Sequence, residues 1–386
     1  MTRIDLAGLT TGPAQVWGAV RLVPLLRAEP ITDLRLHRRL FPGEEFGAVS
    51  LTDGTTYTAY VPHGFVADWT GDGSPAAAYG TQLTPPKPDL PAAVSVRLPI
   101  RGHRRLARRE GPGRLRFLPQ HLALEGYLAL HFGGPTTAWS EWSQRALRQG
   151  LSPRAESAYR GEEVAGLADA LRVFEIHPDQ CGVLLYLADA LAGAFVVPHP
   201  ADYRALHPSL VQDLYGDVVY HYGVLMPPVA DFGARIPGPG IGSLADLRTA
   251  AESEARRWRA DHDTLLAGGL LTAEYTAQRI YRMGPFTLSR LLPPLLPKHE
   301  SHIGETITTA DGRLAYLKTF RLSEKQIRRA HLLDRLAAHD WHLGRTAQAL
   351  GVTTAQLGLR LESAGFGLLL RQDVLDGYRK AAREGR

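Results

Sequence analysis

The sequence predicts an α+β fold, in which a β-rich N-terminal domain with packed helices precedes a small all-α helix-turn-helix domain. Short apolar runs separated by turn residues fill residues 15–66, whereas leucines at helical spacing fill residues 328–366. A chain of 386 residues also exceeds one typical domain, so two are expected. We divide the chain into an α+β domain of unknown function (1–226), a linker and helical connection (227–320) and the helix-turn-helix domain (321–386).

The N-terminal domain opens with strand-like segments. Asp53-Gly54 lies between two β-forming runs, and this dipeptide is typical of a hairpin turn because both residues tolerate positive φ. From Thr70 to Pro91 the chain is dense in Gly, Ser, Ala and Pro, which indicates an exposed loop. The expected strands are Val16–Leu25, Gly47–Leu51, Thr56–Val61, Ala93–Ile100 and Arg114–Leu118.

A buried hairpin and several helices follow. Val183–Val197 predicts the hairpin, because apolar β-forming residues flank a short Asp/Ala/Gly break. The Pro/Gly-rich residues 227–242 predict a linker, after which Ser243 supplies the N-cap of a charged helix that continues to about Leu266. Asp311-Gly312 marks a further break. The other expected helices are Ala138–Gln149, Glu162–Phe174 and Tyr203–Tyr215.

Composition is that of an ordinary globular protein. Hydrophobic residues make up 44% of the chain and charged residues 22%, and no stretch approaches the roughly 20 apolar residues of a membrane span. The N-terminus lacks a basic region followed by an apolar run, so we expect no export and a cytoplasmic location. The formal charge of +5 comes almost entirely from arginine, which reflects either high-GC coding or a suitability for phosphate contacts.

The segment from Leu332 onward predicts short helices separated by sharp turns. Leucines at helical spacing form an apolar face, and the Asp340-Trp341 neighbourhood interrupts it. A short second helix from Thr346 ends at Gly351, because glycine can adopt positive φ and turn the chain.

A last helix carries the candidate binding residues. Thr353 or Thr354 caps it. Two short helices joined by a turn of three or four residues that contains glycine match the helix-turn-helix, whose second helix enters the major groove of DNA. Leu357 and Leu361 are expected to face inward, and Gln356 and Arg360 to face outward.

This segment resembles the DNA-binding domain of the Fis and NtrC-type regulators. The resemblance rests on the small residue Ala347, the Leu-Gly-Val turn, the Thr-Thr cap, the Leu-x-x-x-Leu spacing and a closing Gly-Phe. Such domains usually carry two or more basic residues in the last helix, whereas here Arg360 is followed by Glu362. The alternative is a trihelical packing or dimerisation module. The resemblance implies double-stranded DNA as the partner of a homodimer, with contacts from Thr353, Thr354, Gln356 and Arg360. Arg345 is a further candidate, because its charge is available for a DNA phosphate.

A second resemblance concerns residues 15–225. They are similar to a bacterial domain named for its association with ADP-ribosylglycohydrolase and rhodanese-phosphatase proteins. That family is predicted to belong to conflict or repair systems, and the resemblance implies no reaction. The segments that carry the resemblance are Trp17–Leu25, Trp139 before a helix, Pro178–Leu184 and Leu191–Val196.

An arginine cluster lies between residues 101 and 116, where seven of sixteen residues are arginine. Such a cluster could hold the phosphates of RNA, DNA or a nucleotide. A solvated hairpin or loop is the alternative, and no aromatic residues interleave to form a base-stacking surface. The candidate phosphate ligands are Arg101, Arg104, Arg105, Arg108 and Arg109.

Signatures of catalysis are poor. Cys181 precedes an apolar strand, where packing is favoured over nucleophilic chemistry, and His299-x-x-His302 lacks a third spaced metal ligand. The sequence has no P-loop, GxGxxG or GxSxG motif, so we assign no catalytic residue, metal or cofactor. The sequence favours a DNA-binding regulator whose N-terminal domain senses or recruits. The alternatives are a nucleotide- or nucleic-acid-processing component of a repair or defence system and a non-catalytic assembly scaffold.

Overall fold

A large antiparallel sheet and several helices give the protein a mixed α+β fold, as the sequence predicts. The structure is a computed structural model. It describes residues 2–39, 171–230, 238–261 and 267–384, together with Ile236 and the short segments 48–50, 56–59, 64–69, 77–78, 81–84, 107–111 and 114–117.

The strands of the described residues fall into one large sheet and three small ones. The strands are β1 (Thr10–Thr11), β2 (Gln15–Trp17), β3 (Val20–Leu26), β4 (Arg35–Arg39), β5 (Ala48–Ser50), β6 (Thr56–Ala59), β7 (Gly64–Asp68), β8 (Ala77–Ala78), β9 (Thr81–Thr84), β10 (Ala107–Gly111), β11 (Arg114–Phe117), β12 (Gln180–Leu187), β13 (Ala190–Val196), β14 (Thr276–Met283), β15 (Phe286–Leu292), β16 (His302–Thr308) and β17 (Leu314–Arg321).

Helices follow the middle strands and the last strand. The α-helices of the described residues are α1 (Pro200–Val224), α2 (Leu244–Asp261), α3 (Gly268–Leu271), α4 (Glu324–Ala338), α5 (Leu343–Ala349), α6 (Thr354–Leu361) and α7 (Gln372–Glu384). In the described part of the chain, none of them combines the length and the apolar character that a membrane span needs.

Nine of the described strands build the large sheet in the order β1-β3-β12-β13-β17-β16-β15-β14, with β2 paired to β3. The hairpin expected at Val183–Val197 is confirmed as β12 and β13, which pair from Gly182 to Leu187. Its turn residues Ala188 and Asp189 have φ of 48° and 59°. Positive φ at both central residues matches the right-handed twist of the two strands.

The expected strand Val16–Leu25 is instead a tight pair, β2 and β3, that turns at Gly18. Gly18 has a φ of 55°, and a Cβ there would lie 2.1 Å from the carbonyl oxygen of Gly223 in α1. Glycine is therefore required twice, by the backbone conformation and by the close approach of the helix. The hairpin expected around Asp53-Gly54 is confirmed by the pairing of β5 with β6.

The linker and helical connection expected in residues 227–320 contains three complete strands, β14 to β16, and nearly all of β17. Asp311-Gly312, taken as a break before helices, turns the chain between β16 and β17, and Gly312 has a φ of 87°. Polar residues interrupt the apolar alternation of these strands, which is why the pattern does not predict them. The prolines after Leu292 lie in the loop between β15 and β16.

The other predicted helices, strands and loops can be compared with the structure where it describes them. The helix expected at Tyr203–Tyr215 is confirmed and extends over all of α1. Ser243 caps α2, because its hydroxyl oxygen accepts a hydrogen bond from the Asp246 backbone N–H at 3.2 Å. The loop expected in residues 70–91 contributes β8 and β9. The strand Ala93–Ile100, the helix Ala138–Gln149 and most of the helix Glu162–Phe174 lie outside the described residues, apart from a 3-10 turn at Leu171–Val173.

Both faces of the large sheet are covered. Val183 and Leu185 of β12 belong to one core cluster with Tyr203 of α1, and the intervening Leu184 belongs to a second cluster with Leu270 of α3. Burial of both faces explains why β3, β12 and β13 are continuous apolar runs. The C-terminal helix α4 adds Ile327 to the first cluster, so it packs on the sheet.

Candidate nucleic-acid interface

Local sequence signals mark where the C-terminal helices begin and where the chain turns between them. Ser323 and Gln326 form a capping box at the start of α4, and Thr353 and Gln356 form a second one at the start of α6. Asp340 and Trp341 between α4 and α5 both have positive φ, and so does Gly351 between α5 and α6, at 63°. The breaks expected at these positions are confirmed.

One side of α6 packs inward and the other faces outward. Leu357, Gly358 and Leu361 are buried, and Leu357 and Leu361 form a small core with Leu336 of α4 and Ala347 of α5. Gln356 and Arg360, four residues apart and on the opposite side, are exposed, as the spacing predicts.

The other three expected contact residues, Thr353, Thr354 and Arg345, differ in exposure and in the side of the helix on which they lie. Thr353 is exposed and in line with Gln356 and Arg360, but its hydroxyl accepts a hydrogen bond from the Gln356 N–H at 3.1 Å. Thr354 is half-buried on the side of Gly358, away from this exposed line. Arg345 is exposed on α5. Thr353, Gln356 and Arg360 therefore share one surface, whereas Thr354 does not point outward with them.

Arg360 borders a groove of about 750 Å³ between α4, α6 and the loop before β16. We call it the basic groove. Its wall contains five lysine or arginine side chains and one carboxylate, Glu324. The cationic residues are Lys298 in the loop, Lys325, Arg328 and Arg329 in α4, and Arg360 in α6. The apolar and small residues are Pro297, Leu332 and Ala364, with His331 and Ser363 completing the lining.

Two of these arginines are fixed by contacts inside the protein. Arg328 forms an ion pair with Glu324 one turn earlier in α4. Arg329 donates from Nε to the carbonyl oxygen of Ala364 at 2.7 Å and lies over the ring of Phe366. Within the described residues no ion pair holds Lys298, Lys325 or Arg360. The groove therefore retains three cations whose charge is not balanced locally.

Glu362, the acidic residue that departs from the Fis pattern, has a cationic partner in the folded protein. Glu362 forms an ion pair with Arg379 of α7, and Nε of Arg379 is 3.4 Å from the second carboxylate oxygen. The hydrogen bond with Glu362 raises the pKa of Arg379. Glu362 thus does not cancel the charge of Arg360.

The arginine cluster between residues 101 and 116 is described only in part. Residues of β10 and β11 pair antiparallel, with Arg108 opposite Arg116 and Arg109 opposite Leu115. Arg101, Arg104 and Arg105 lie outside the described residues. The expected phosphate site in this cluster stays a prediction.

A row of buried charged residues in the large sheet was not predicted. Arg290 of β15 lies opposite Glu305 of β16, and Glu305 lies opposite Lys318 of β17. All three are at most 5% exposed, and Nζ of Lys318 is 5.3 Å from the centre of the Phe195 ring. A polar residue at an inward position of each strand was the available signal, but only the pairing of the strands brings the three together.

His302 and Cys181 are both buried and contact other parts of the protein. His302 is buried and donates to Glu300 at 2.8 Å, and Arg321 pairs with the same carboxylate at 3.2 Å. The His302 hydrogen bond lowers the pKa of Glu300. Across the described residues no three His, Cys, Asp or Glu side chains group as metal ligands. Cys181 is buried as the sequence favours, and burial raises the pKa of its thiol to about 11.

The fold and the groove define an α+β protein with a basic surface beside its C-terminal helices. The chain belongs to the ARPP-2 family, whose family model matches residues 4–284. The match ends just after β14, so the residues of the basic groove lie beyond it. No match to the chain was found among curated proteins or among solved structures.

Proposed function

We propose that this protein is a cytoplasmic DNA-binding regulator, in which residues 321–386 act as a Fis-like helix-turn-helix domain on double-stranded DNA. One observation carries the proposal: the exposed line of Thr353, Gln356 and Arg360 on α6 continues directly into the basic groove. A helix of this kind fits the major groove, and neighbouring cations contact the phosphates on either side. In this proposal the N-terminal α+β domain senses a signal or recruits a partner.

The local geometry supports a helix that can present its side chains. Gly351 bends the backbone between α5 and α6, and the Thr353–Gln356 capping box fixes the first turn of α6. The inward side of α6 is held by Leu357 and Leu361. A rigid helix loses little conformational entropy on binding, which favours its use as a recognition element.

The charge distribution supports contact with a polyanion. Glu362 is paired with Arg379, so α6 presents Arg360 without an opposing carboxylate. Lys298 and Lys325 stand beside it across the basic groove. Each cation that contacts a phosphate releases counterions from the duplex, and the affinity should therefore fall as salt rises.

Fluorescence anisotropy with the full chain and a labelled mixed-sequence duplex tests the proposal at several salt concentrations. Arg360→Ala should weaken binding by about tenfold, because it removes one base or phosphate contact. Arg371→Ala is the matched control, since Arg371 is exposed in the same region and pairs with Asp373 at 2.8 Å. The control should bind as the unmodified chain does.

Failure of the full chain to bind any duplex at low salt would contradict the regulator and leave the C-terminal helices as an assembly module. Sedimentation at the same protein concentrations separates these outcomes. A dimer that binds DNA fits the proposed homodimer, and a dimer without DNA binding fits the scaffold alternative.

A further inference from the structure

The basic groove combines residues from two parts of the chain. Lys298 belongs to the loop that leaves the large sheet after β15, whereas Lys325 and Arg360 belong to the C-terminal helices. We infer that the basic groove is a phosphate-binding site in which Lys298 of the sheet loop and the two helices α4 and α6 hold the same anion. Where the phosphate is that of a DNA backbone, this inference rests on the proposed function; a free phosphorylated nucleotide is the other source.

The backbone of the sheet loop supports a role for the Lys298 side chain. Lys298 has a φ of 68°, and Leu295, three residues earlier, has a φ of 52°. Residues with a Cβ rarely adopt this conformation, and glycine or asparagine would satisfy the turn with less strain. Leu295 is buried in the main core, the core cluster that contains Tyr203 of α1, and this contact holds the loop on the sheet. Lys298 is exposed on the groove wall three residues later.

The charges at the start of α4 also favour an anion in the basic groove. Glu324 and Lys325 are the first two residues of this helix, where the positive end of the helix dipole lies. A lysine there is electrostatically unfavourable for the isolated helix, and the neighbouring Glu324 is already paired with Arg328. An anion bound in the basic groove would offset the charge of Lys325, because it meets the helix dipole and this side-chain cation together.

The size and charge of the groove match a phosphate ester better than a bare ion. A volume of about 750 Å³ is that of a site for a whole small ligand or for a short length of nucleic-acid backbone. Arg328 and Arg329 are held by internal contacts, and three further cations converge without ion pairs among the described residues. Doubly charged phosphate groups suit such a set.

The experiment uses the full chain and two probes, a labelled duplex and inorganic pyrophosphate. The variants are Lys298→Gln and Lys325→Gln, with Lys380→Gln on the exposed side of α7 as the control. Lys298→Gly serves as a second loop variant, because it removes the charge and the unfavourable φ together and a folding defect could not explain its lost binding. The slope of log affinity against log salt is measured for the duplex, and calorimetry measures pyrophosphate binding.

We expect each groove variant to reduce the duplex slope by about 0.9 or to weaken pyrophosphate binding about tenfold, whereas the control changes neither. A changed slope identifies the DNA backbone as the source, and pyrophosphate binding without duplex binding identifies a free phosphate ligand. The second outcome supports the groove while the proposed regulator fails. Duplex binding that no groove variant alters, together with absent pyrophosphate binding, would overturn the groove and leave the regulator standing. Absence of both kinds of binding overturns both.

Discussion

At the scale of single residues, His207 shows how burial in α1 changes a titration. The His207 ring is 5% exposed, and its Nδ1 atom shares a hydrogen bond of 3.0 Å with the hydroxyl of Tyr203. Within the described residues its Nε2 atom is buried without a hydrogen-bond partner. Burial lowers the pKa of His207 to about 4, so the folded protein keeps this ring neutral at physiological pH.

The consequence is a loss of stability in mild acid. The unfolded chain binds a proton at His207 near pH 6.5 and the folded chain only near pH 4, so the free energy of unfolding is unaffected above pH 6.5 and falls below it. We expect His207→Phe to reduce this fall by about 3 kcal/mol between pH 7 and pH 4. Urea unfolding at a series of pH values measures it.

The exposed His221 lies on the same helix and provides the control. His221→Gln is measured in the same way, as a histidine substitution on α1 that leaves the His207 site intact. A pH profile of His207→Phe that is parallel to that of the unmodified protein would show that the ring titrates normally in the folded state.

At the scale of elements, the pairing of β15, β16 and β17 places Arg290, Glu305 and Lys318 side by side on the face that carries the main core. Moving such charges out of water costs several kcal/mol each, and only close partners offset that cost. Glu305 lies between the two cations and can offset the burial cost of both, so its loss should destabilise the protein more than the loss of either cation.

We predict that removing the carboxylate of this row lowers the free energy of unfolding more than removing one of its cations. Glu305→Gln should lower the free energy of unfolding by about 3–5 kcal/mol, because it leaves two buried cations without the carboxylate between them. Lys318→Met should cost clearly less, since Arg290 and Glu305 still face each other. Chemical denaturation followed by tryptophan fluorescence gives both values. Equal costs for the two variants would mean that the row is not electrostatically coupled.

At the scale of the whole molecule, α4 joins the C-terminal helices to the sheet. Leu322 before α4 and Ile327 and Ala330 within it belong to the main core cluster, whereas Leu336 at its other end belongs to the small core of α5 and α6. The helix is therefore shared between two apolar cores.

Truncation tests how strongly the two parts depend on each other. A chain that ends at Arg321 should unfold at a clearly lower temperature, because loss of Leu322 and Ile327 uncovers core surface, at about 1.5–3 kcal/mol for each side chain. A chain that ends at Leu370 loses only α7, whose buried Leu375 lies outside the main core, and is the control. Thermal unfolding by circular dichroism compares them. An unchanged melting temperature after truncation at Arg321 would show that the sheet does not need α4.

The sequence predicted those elements whose signals are local. The Asp189 turn, the Ser243 cap, the break at Asp340-Trp341 and the Gly351 turn each depend on one or two residues and their nearest neighbours. The inward and outward sides of α6 follow from helical spacing in the same way. For the candidate interface, this was enough to predict the exposed positions of Gln356 and Arg360.

By itself, then, the sequence determined the α+β class, the turns and caps, and the exposed positions of Gln356 and Arg360 on α6, because these depend on short-range backbone and side-chain preferences. Only the tertiary structure decided that residues 276–321 complete the large sheet, that Glu362 meets Arg379, and that Lys298 stands across a groove from Arg360. Such contacts join residues far apart in the chain, and their partners are selected by the burial of shared apolar surface, which no local pattern encodes.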